Sequence, residues 1–581
     1  MKFLSLLCSC LFPFLLPAQL FQGTVSEAYQ LSISRTTETF TTARSQDTVY
    51  QQLAGFPLGF RADGNTKNFR NITLADLNQD GIEELIFAAN NLLFAYQDTL
   101  QLWRVRMTGT GIYPPSVADL DGDGDLEIVQ VTGGNAKRGQ LYVVDHEGND
   151  LMGFPKSYNN NWLLTSPTLS DLDDDGQLEI IFLERNSPGG NIHILNHDGS
   201  KWSDDWPVRL PGTPAITPSI ADIDNDGAKE IVVSSTTVLY AFDLNGEFET
   251  GWPVDNPDTK FSFQSPILTD LDGDLDLEII GATHGNQPEY YILHHDGTPY
   301  KAWPFFVPEG EWTFSTPTLI NLEGTPQILM SRPKRSESLD MLYAWNEAGD
   351  LRSGFPLENN SGAEGIITVA DIDDQAGMEV IVGSNLLDEA GFGFISAFHI
   401  DGSGLVDGFP LRPRGWTLMN GATIGDVNND GNMDLIALSY TTNFGAKPDS
   451  IFINAYDLNV SYGKEKILWN TYKGNNRRDG DFSAPIVSSL RPMPITGLEV
   501  TIFPNPISQR GSFQLTTSEL MSLDVAIYST NGQLVQSLLQ NRTIRGTQQF
   551  PLPYLADGIY LLKVENEKRG QAVKKLVVTN K

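Results

Sequence analysis

Seven short acidic segments carry the residues whose type and spacing can do chemistry. Each sets oxygen-bearing side chains at relative positions 1, 3, 5 and 9, and the fullest copies have glycine at position 6. Five are complete: Asp76/Asn78/Asp80/Glu84, Asp119/Asp121/Asp123/Glu127, Asp171/Asp173/Asp175/Glu179, Asp222/Asp224/Asp226/Glu230 and Asp426/Asn428/Asp430/Asp434. Two depart from the pattern. Asp270/Asp272/Asp274/Glu278 has Leu275 in the glycine place, and Asp371/Asp373/Glu379 has Gln375 and Ala376 at positions 5 and 6. Side-chain oxygens at alternate positions of a tight turn converge on one point, and glycine permits the turn. Oxygen-only sites with several carboxylates select a hard cation. Calcium fits best, because magnesium takes fewer carboxylates in a stricter octahedron. One such loop would be read as a soluble turn, but seven in register need a further reason. A degraded eighth copy at Asn321 and Glu323 lacks the other donors and is expected to hold no ion. Helix–loop–helix calcium sites need an acid at position 12 and a helix after it. Position 12 is Phe87, Gln130, Phe182, Val233, Gly281 and Ala437 in six of the copies, all within β-rich runs, so that reading is rejected.

The elements that position these loops repeat with a period of about fifty residues, which marks a repeat array. An apolar strand precedes each loop and a second follows it, as in Ile180-Ile181-Phe182-Leu183. A further strand ends in a tight turn such as Asp145-His146-Glu147-Gly148 or His294-His295-Asp296-Gly297. Then comes an aromatic-proline pair: Phe56-Pro57, Phe154-Pro155, Trp206-Pro207, Trp252-Pro253, Trp303-Pro304, Phe355-Pro356 and Phe409-Pro410, with Trp103 in the unit that lacks the proline. Proline in a strand belongs at an edge, so the strand with this pair is the outermost of four. Four-stranded units of this length predict an all-β chain, an eight-bladed β-propeller with seven blades as the alternative. The outer strand near Phe56 precedes every complete unit and is expected to pair with the last one and close the ring. Leu468-Trp469-Asn470 competes for that place.

These units resemble FG-GAP/VCBS repeats, the propeller repeats of integrin α-subunits and many bacterial exoproteins. The resemblance spans about residues 50–480. It implies that each loop joins two strands of a blade around a structural calcium.

The two ends of the chain read differently. Lys2, the apolar run Phe3–Leu16 and the break at Pro17-Ala18-Gln19 predict a signal peptide over 1–18, followed by a leader over 19–49. Cys8 and Cys10, the only cysteines, lie inside that removable segment. Disulfides, cysteine–zinc sites and thiol catalysis are thereby excluded from the mature protein. A proline-rich linker over 485–497 separates the 50–484 propeller from a last module over 498–581. That module holds nine bases and six acids, although the whole chain carries a net charge of −34. Such acidity excludes a nucleic-acid binder built on a basic surface. The module alternates as a small β-sandwich. Phe503-Pro504-Asn505-Pro506, Tyr528 with Gly532-Gln533, Leu555 with Gly558-Ile559-Tyr560, and Lys574-Lys575-Leu576-Val577-Val578 resemble the C-terminal sorting domain of type IX secretion. That resemblance implies engagement of the type IX machinery, removal of the module and often attachment to surface lipopolysaccharide.

No catalytic set emerges from the seven histidines. His146, His197, His294, His295 and His399 fall in the repeated hairpin turn, and His193 with His197 lacks a third ligand. A binding or adhesion protein for a glycan or protein is the favoured reading. A polysaccharide lyase on an eight-bladed propeller is the alternative, and it rests on fold analogy alone. The connections on the face opposite the acidic loops carry Phe69, Tyr113, Trp162, Phe263, Trp312 and Trp416. Of these, Trp162, Trp312 and Trp416 are the expected ligand face, able to stack on sugars. The competing role for them is as wedges between blades.

Overall fold

A computed structural model describes residues 20–25, 31–36, 50–62, 68–483 and 498–579 apart from short stretches, the longest being 308–313, 333–338, 442–448 and 504–510. The signal segment 1–18, the linker 485–497, Phe263, Trp312, Glu323 and Ala376 lie outside the described residues. The chain divides into two units, Met1–Ser488 and Ser489–Lys581. Both are β throughout, with only two single-turn 3-10 helices among the described residues.

In the first unit, beside a three-stranded and a two-stranded sheet, eight antiparallel sheets of four or five strands follow one another along the chain. Their first strands are Thr73–Ala75, Ser116–Ala118, Thr168–Ser170, Ser219–Ala221, Ile267–Thr269, Thr318–Leu322, Thr368–Ala370 and Thr423–Gly425. Most of these strands are three residues long and buried throughout. The second strands, such as Glu179–Arg185 and Glu230–Ser235, are buried almost throughout and supply the core between neighbouring sheets. Aromatic-proline pairs lead into the outer edge as expected, and all seven peptide bonds are cis. The eighth sheet takes its outer edge from the start of the chain: Leu58–Ala62 pairs with Asp449–Ser461. The rival segment Ile467–Trp469 pairs instead with Thr368–Ala370, on the side away from the outer edge of the seventh sheet.

Two sets of contacts tie each sheet to the next. At the outer edge, indole N–H groups donate to a carbonyl in the following sheet's hairpin turn. Trp103 reaches His146 (2.8 Å), Trp206 reaches Leu244 (2.8 Å) and Trp252 reaches His295 (2.6 Å). At the inner end, hydroxyls of the first strands donate to carbonyls one sheet on. Thr73 reaches Pro115, Ser116 reaches Pro167, Thr168 reaches Pro218 and Ser219 reaches Pro266, all at 2.6–2.8 Å. Thr318 and Thr368 continue the series to Ile367 and Ala422. Asn71 then donates to Thr423 Oγ1 (2.7 Å), which joins the eighth sheet to the first.

Residues 467–483 fill the centre. Their backbone and amide groups meet the middle residue of seven first strands. Val117 N–H donates to Asn476, Leu169 to Arg477, Ile220 to Asp479 and Leu268 to Gly480, at 2.8–3.0 Å. Asn476 donates to Leu74 O, Asn470 exchanges two bonds with Ile424, and Val369 pairs with Trp469. The segment brings two buried cations with it. Lys473 Nζ donates to Pro218 O and Ser219 Oγ; burial holds its ammonium well below its usual pKa. The Arg478 guanidinium donates to Thr471, Tyr472, Asn475 and Thr73, and burial lowers it to about 9.

The N-terminal leader is more structured than its composition suggests. Leu20–Val25 and Leu31–Thr36 form a hairpin that extends Leu386–Asp388. In the second unit five strands surround one core of Phe513, Leu515, Val525, Ile527, Leu562 and Leu576. The long strand Ser512–Ser529 pairs with Leu498–Phe503 through its first half and with Gly558–Asn566 through its second, so the five strands form one continuous sheet where the sequence pattern predicts a two-layer sandwich.

Arg478→Ala should lower the stability of the full chain by about 3–5 kcal/mol, because it opens a cavity and strands buried acceptors. Arg477→Ala, at a half-exposed side chain, should cost about 0.5 kcal/mol or less. Urea unfolding of the two variants, followed by tryptophan fluorescence, measures the difference.

Candidate metal centres and the connector face

Each acidic loop joins the first strand of a sheet to the second. The residue at position 9 begins or lies near the start of that second strand and is buried: Glu84, Glu127, Glu179, Glu230, Glu278, Glu379 and Asp434 are all 5% exposed or less. One of its oxygens accepts the N–H of position 2 in every loop. The donors are Leu77, Leu120, Leu172, Ile223, Leu271, Ile372 and Val427, at 2.7–3.0 Å. This bond closes the neck of the loop and leaves the second oxygen facing the turn.

The first aspartate shapes the turn. Its Oδ2 accepts the N–H of position 6 in six loops, at 2.9–3.3 Å. The position-5 aspartate bonds its own loop as well: Asp80, Asp123, Asp175, Asp226 and Asp430 accept from the N–H of position 7. What remains is a convergent trio from positions 1, 3 and 9. Asp119/Asp121/Glu127, Asp171/Asp173/Glu179, Asp222/Asp224/Glu230 and Asp270/Asp272/Glu278 each bring three carboxylates together, with donor atoms within 4.8 Å of one another. In the first loop the amide of Asn78 bonds Glu84 Oε1 (3.1 Å), and in the last Asn428 bonds Asp430.

The electrostatics fit a cation. Burial, then the neighbouring loop aspartates, push Glu84, Glu127 and Glu179 up to about 7, and Glu230 and Glu278 to about 8. Asp434 rises to about 7 for the same reasons, and its Oδ1 is buried without a hydrogen-bond partner. These groups have oxygen donors in excess and no cationic side chain inside the trio. The donor chemistry therefore suits a bound metal ion.

The departures from the repeat separate into three outcomes. Leu275 adopts φ +84°, the left-handed turn that glycine makes elsewhere, and the fifth loop keeps its trio. In the sixth sheet, Thr318–Leu322 runs almost directly into Thr325–Ser331, which leaves no acidic loop. The seventh loop gathers Asp373, Glu379 and His399 rather than Asp371. His399 was not among the expected ligands. The signal for it is register: it stands directly across from Glu379 on the neighbouring strand.

On the opposite face the structure corrects part of the expected ligand surface. Trp416 is fully buried and cannot meet an external ligand. Its backbone pairs with Tyr440, and Gly23 of the N-terminal hairpin lies against its ring, so the segment read as a leader covers it. Phe69 and Tyr113 are buried too and pack edge-on against each other, with ring centroids 6.0 Å apart. Trp162 is half-buried at the edge of the third sheet, with the Arg185 guanidinium 5.6 Å from its ring centroid. Nearby, His193 sits 2.7 Å from Glu184 and stacks on Phe182.

Comparison with known proteins agrees with both units. Residues 132–233 match the FG-GAP-like repeat family, and residues 501–579 match the secretion system C-terminal sorting domain. The chain thus carries FG-GAP-like repeats and a type IX sorting domain, and it is exported to the cell surface or beyond. No helix among the described residues is long and apolar enough to cross a membrane. No curated protein matches the chain. Among solved structures, the Vibrio cholerae biofilm matrix protein Bap1 is similar at 14% identity over 70% of this chain and 90% of that one, with a TM-score of 0.34. BBS1N in its complex with ARL6DN is similar at 11% identity over 70% and 97%, with a TM-score of 0.36. The Pseudomonas aeruginosa PilY1 C-terminal domain is similar at 15% identity over 65% and 83%, with a TM-score of 0.27.

A side chain at position 6 meets nothing within 4 Å in the third loop, so only backbone conformation opposes it there. Gly176→Ala should therefore cost about 1 kcal/mol, and Leu275→Gly should stabilise by about 0.5–1 kcal/mol. Thermal unfolding of both variants at fixed calcium concentration reads the two signs.

Proposed function

We propose that the chain is a calcium-stabilised, eight-bladed propeller that binds a glycan or a protein at the cell surface and is not an enzyme. The observation that carries the calcium reading is the repeated trio of carboxylates, buried at its base and without a cation of its own. Calcium takes six to eight oxygen ligands at flexible geometry and suits such loops. In this reading positions 1, 3 and 9 hold the ion together with backbone oxygen, and the ion replaces the disulfides lacking in an exported chain whose two cysteines lie in the signal segment. The eight-blade count is supported by the borrowed outer strand Leu58–Ala62 and by the Asn71–Thr423 bond, which leads from the last sheet back to the first.

Binding is favoured over catalysis by the architecture of the centre. Residues 467–483 fill much of the centre, leaving beside them a polar cavity of about 200 Å³ lined by Glu83, Thr423, Asn470 and Asn476; in this reading the ligand meets the rim of the connector face. Trp162 beside Arg185 offers a flat apolar ring and a cation, a pair suited to a sugar ring or an acidic group. Trp312 belongs to the same proposed surface by its place in the repeat. Type IX export leaves the protein outside the cell, soluble or anchored to surface lipopolysaccharide.

Chelation should lower the melting temperature by many degrees, and calcium should restore it better than magnesium. Each site contributes about 2.7 kcal/mol at a hundredfold excess of calcium over its Kd. Asp171→Ala and Asp222→Ala should each reduce the calcium-dependent part, whereas Asn321→Ala should leave it intact. A melting curve unmoved by exhaustive chelation would reject the calcium reading.

The binding reading is tested on glycan and protein arrays. Trp162→Ala should weaken the response to the strongest ligand by about tenfold or more at unchanged melting temperature. Lower stability with undiminished binding would make Trp162 a wedge like Trp416.

A further inference from the structure

The seventh loop differs from the others in donor chemistry as well as in sequence. Gln375 removes the carboxylate at position 5. Its cluster comprises Asp373, Glu379 and His399, with one donor atom from each lying within 4.8 Å of the other two. His399 ends the strand Ile395–His399 and faces Glu379 across the sheet in register. Its Nδ1 lies 3.3 Å from Glu379 Oε1 and 3.9 Å from Asp373 Oδ2. The other oxygens of both acids are committed to the loop: Glu379 Oε2 accepts from Ile372 N–H and Asp373 Oδ1 from Gln375 N–H, each at 2.9 Å. Asp373 Oδ2 has no such role. Its side chain is only 8% exposed, and that oxygen is buried without a hydrogen-bond partner.

We propose that this loop binds a zinc-class divalent transition metal through Asp373, Glu379 and His399, and not calcium. Zinc holds nitrogen and oxygen ligands at about 2.0–2.2 Å in a tetrahedron, which sets the donors about 3.4 Å apart. The two donor distances from His399 lie close to that edge. Imidazole is a ligand for zinc, copper, iron or nickel, whereas calcium takes oxygen. Three protein donors leave the fourth position to water. The fifth sheet is the internal contrast. His294 stands at the equivalent turn position, 3.3 Å from Glu278, yet that loop retains its all-carboxylate trio Asp270/Asp272/Glu278. The proposal is independent of the calcium reading, because its test is run with the other loops saturated.

The experiment uses the full chain, stripped of metal and returned to millimolar calcium. Zinc is titrated by calorimetry and cobalt by visible absorption. One zinc or cobalt ion per chain should bind, with a cobalt band typical of tetrahedral nitrogen–oxygen coordination. His399→Gln and Asp373→Asn should each weaken binding by more than about a hundredfold, beyond the loss known for groups that only support a ligand. His294→Gln should leave affinity and stoichiometry unchanged. The melting temperature of each variant, compared with wild type in the same buffer without zinc, shows that it is folded. The proposal fails if calcium-saturated wild-type chain takes up no zinc or cobalt. It fails equally if uptake survives His399→Gln, or if calcium displaces the cobalt band.

Discussion

A buried backbone N–H or carbonyl where several sheet edges converge must find a partner, because leaving it unpaired costs free energy. Each first strand presents such an edge, and seven of them meet one shared segment. Sheets usually protect their edges with charge, bulges or covering segments. This chain uses residues 467–483, which follow the last long strand and turn inward. Successive residues answer successive sheets: Asn476, Arg477, Asp479 and Gly480 serve the second to fifth sheets in order. The need to satisfy carbonyls and hydroxyls in the same space explains why Arg478 and Lys473 are buried there with few acids. Their donors are directed to neutral oxygens, and burial is resolved by hydrogen bonding more than by ion pairing.

The acidic loops work under a related constraint. Their aspartates are turn formers first, since positions 1 and 5 accept several N–H groups of their own loop. The buried acid at position 9 anchors the neck through one oxygen and presents the other. This dual use accounts for the fixed register of the acids better than solubility does. It also explains why a substitution can keep the turn, as at Leu275, or redirect the donors, as at Asp373 and His399.

Much of this architecture is legible in the sequence because it repeats. The period, the aromatic-proline outer edge, the borrowed strand near Phe56 and the acidic loops all rest on local patterns that recur. A hydroxyl at the start of most first strands repeats as well, as in Ser116, Thr168, Ser219, Thr318 and Thr368, but its acceptor lies one unit away. The filled centre is not legible, because it occurs once and its partners lie hundreds of residues distant. Asn476 meets Leu74, and Tyr472 meets Thr217 and Ser265. Read locally, Trp469 to Arg478 is an aromatic, amide-rich and basic stretch whose distant partners leave no mark in the neighbouring sequence. Trp416 fails for the same reason: its cover, Gly23, comes from the far end of the chain.

The central segment also decides how tension would travel through the molecule. The sorting unit follows it in the chain, so a pull from that side arrives first at residues 476–483. Those residues grip several sheets at once, each through a separate backbone bond, and load is divided around the ring. A chain that ended on an outer strand would instead open bond by bond from one edge. Under a pull from that side, the hub bears the load before the rim does.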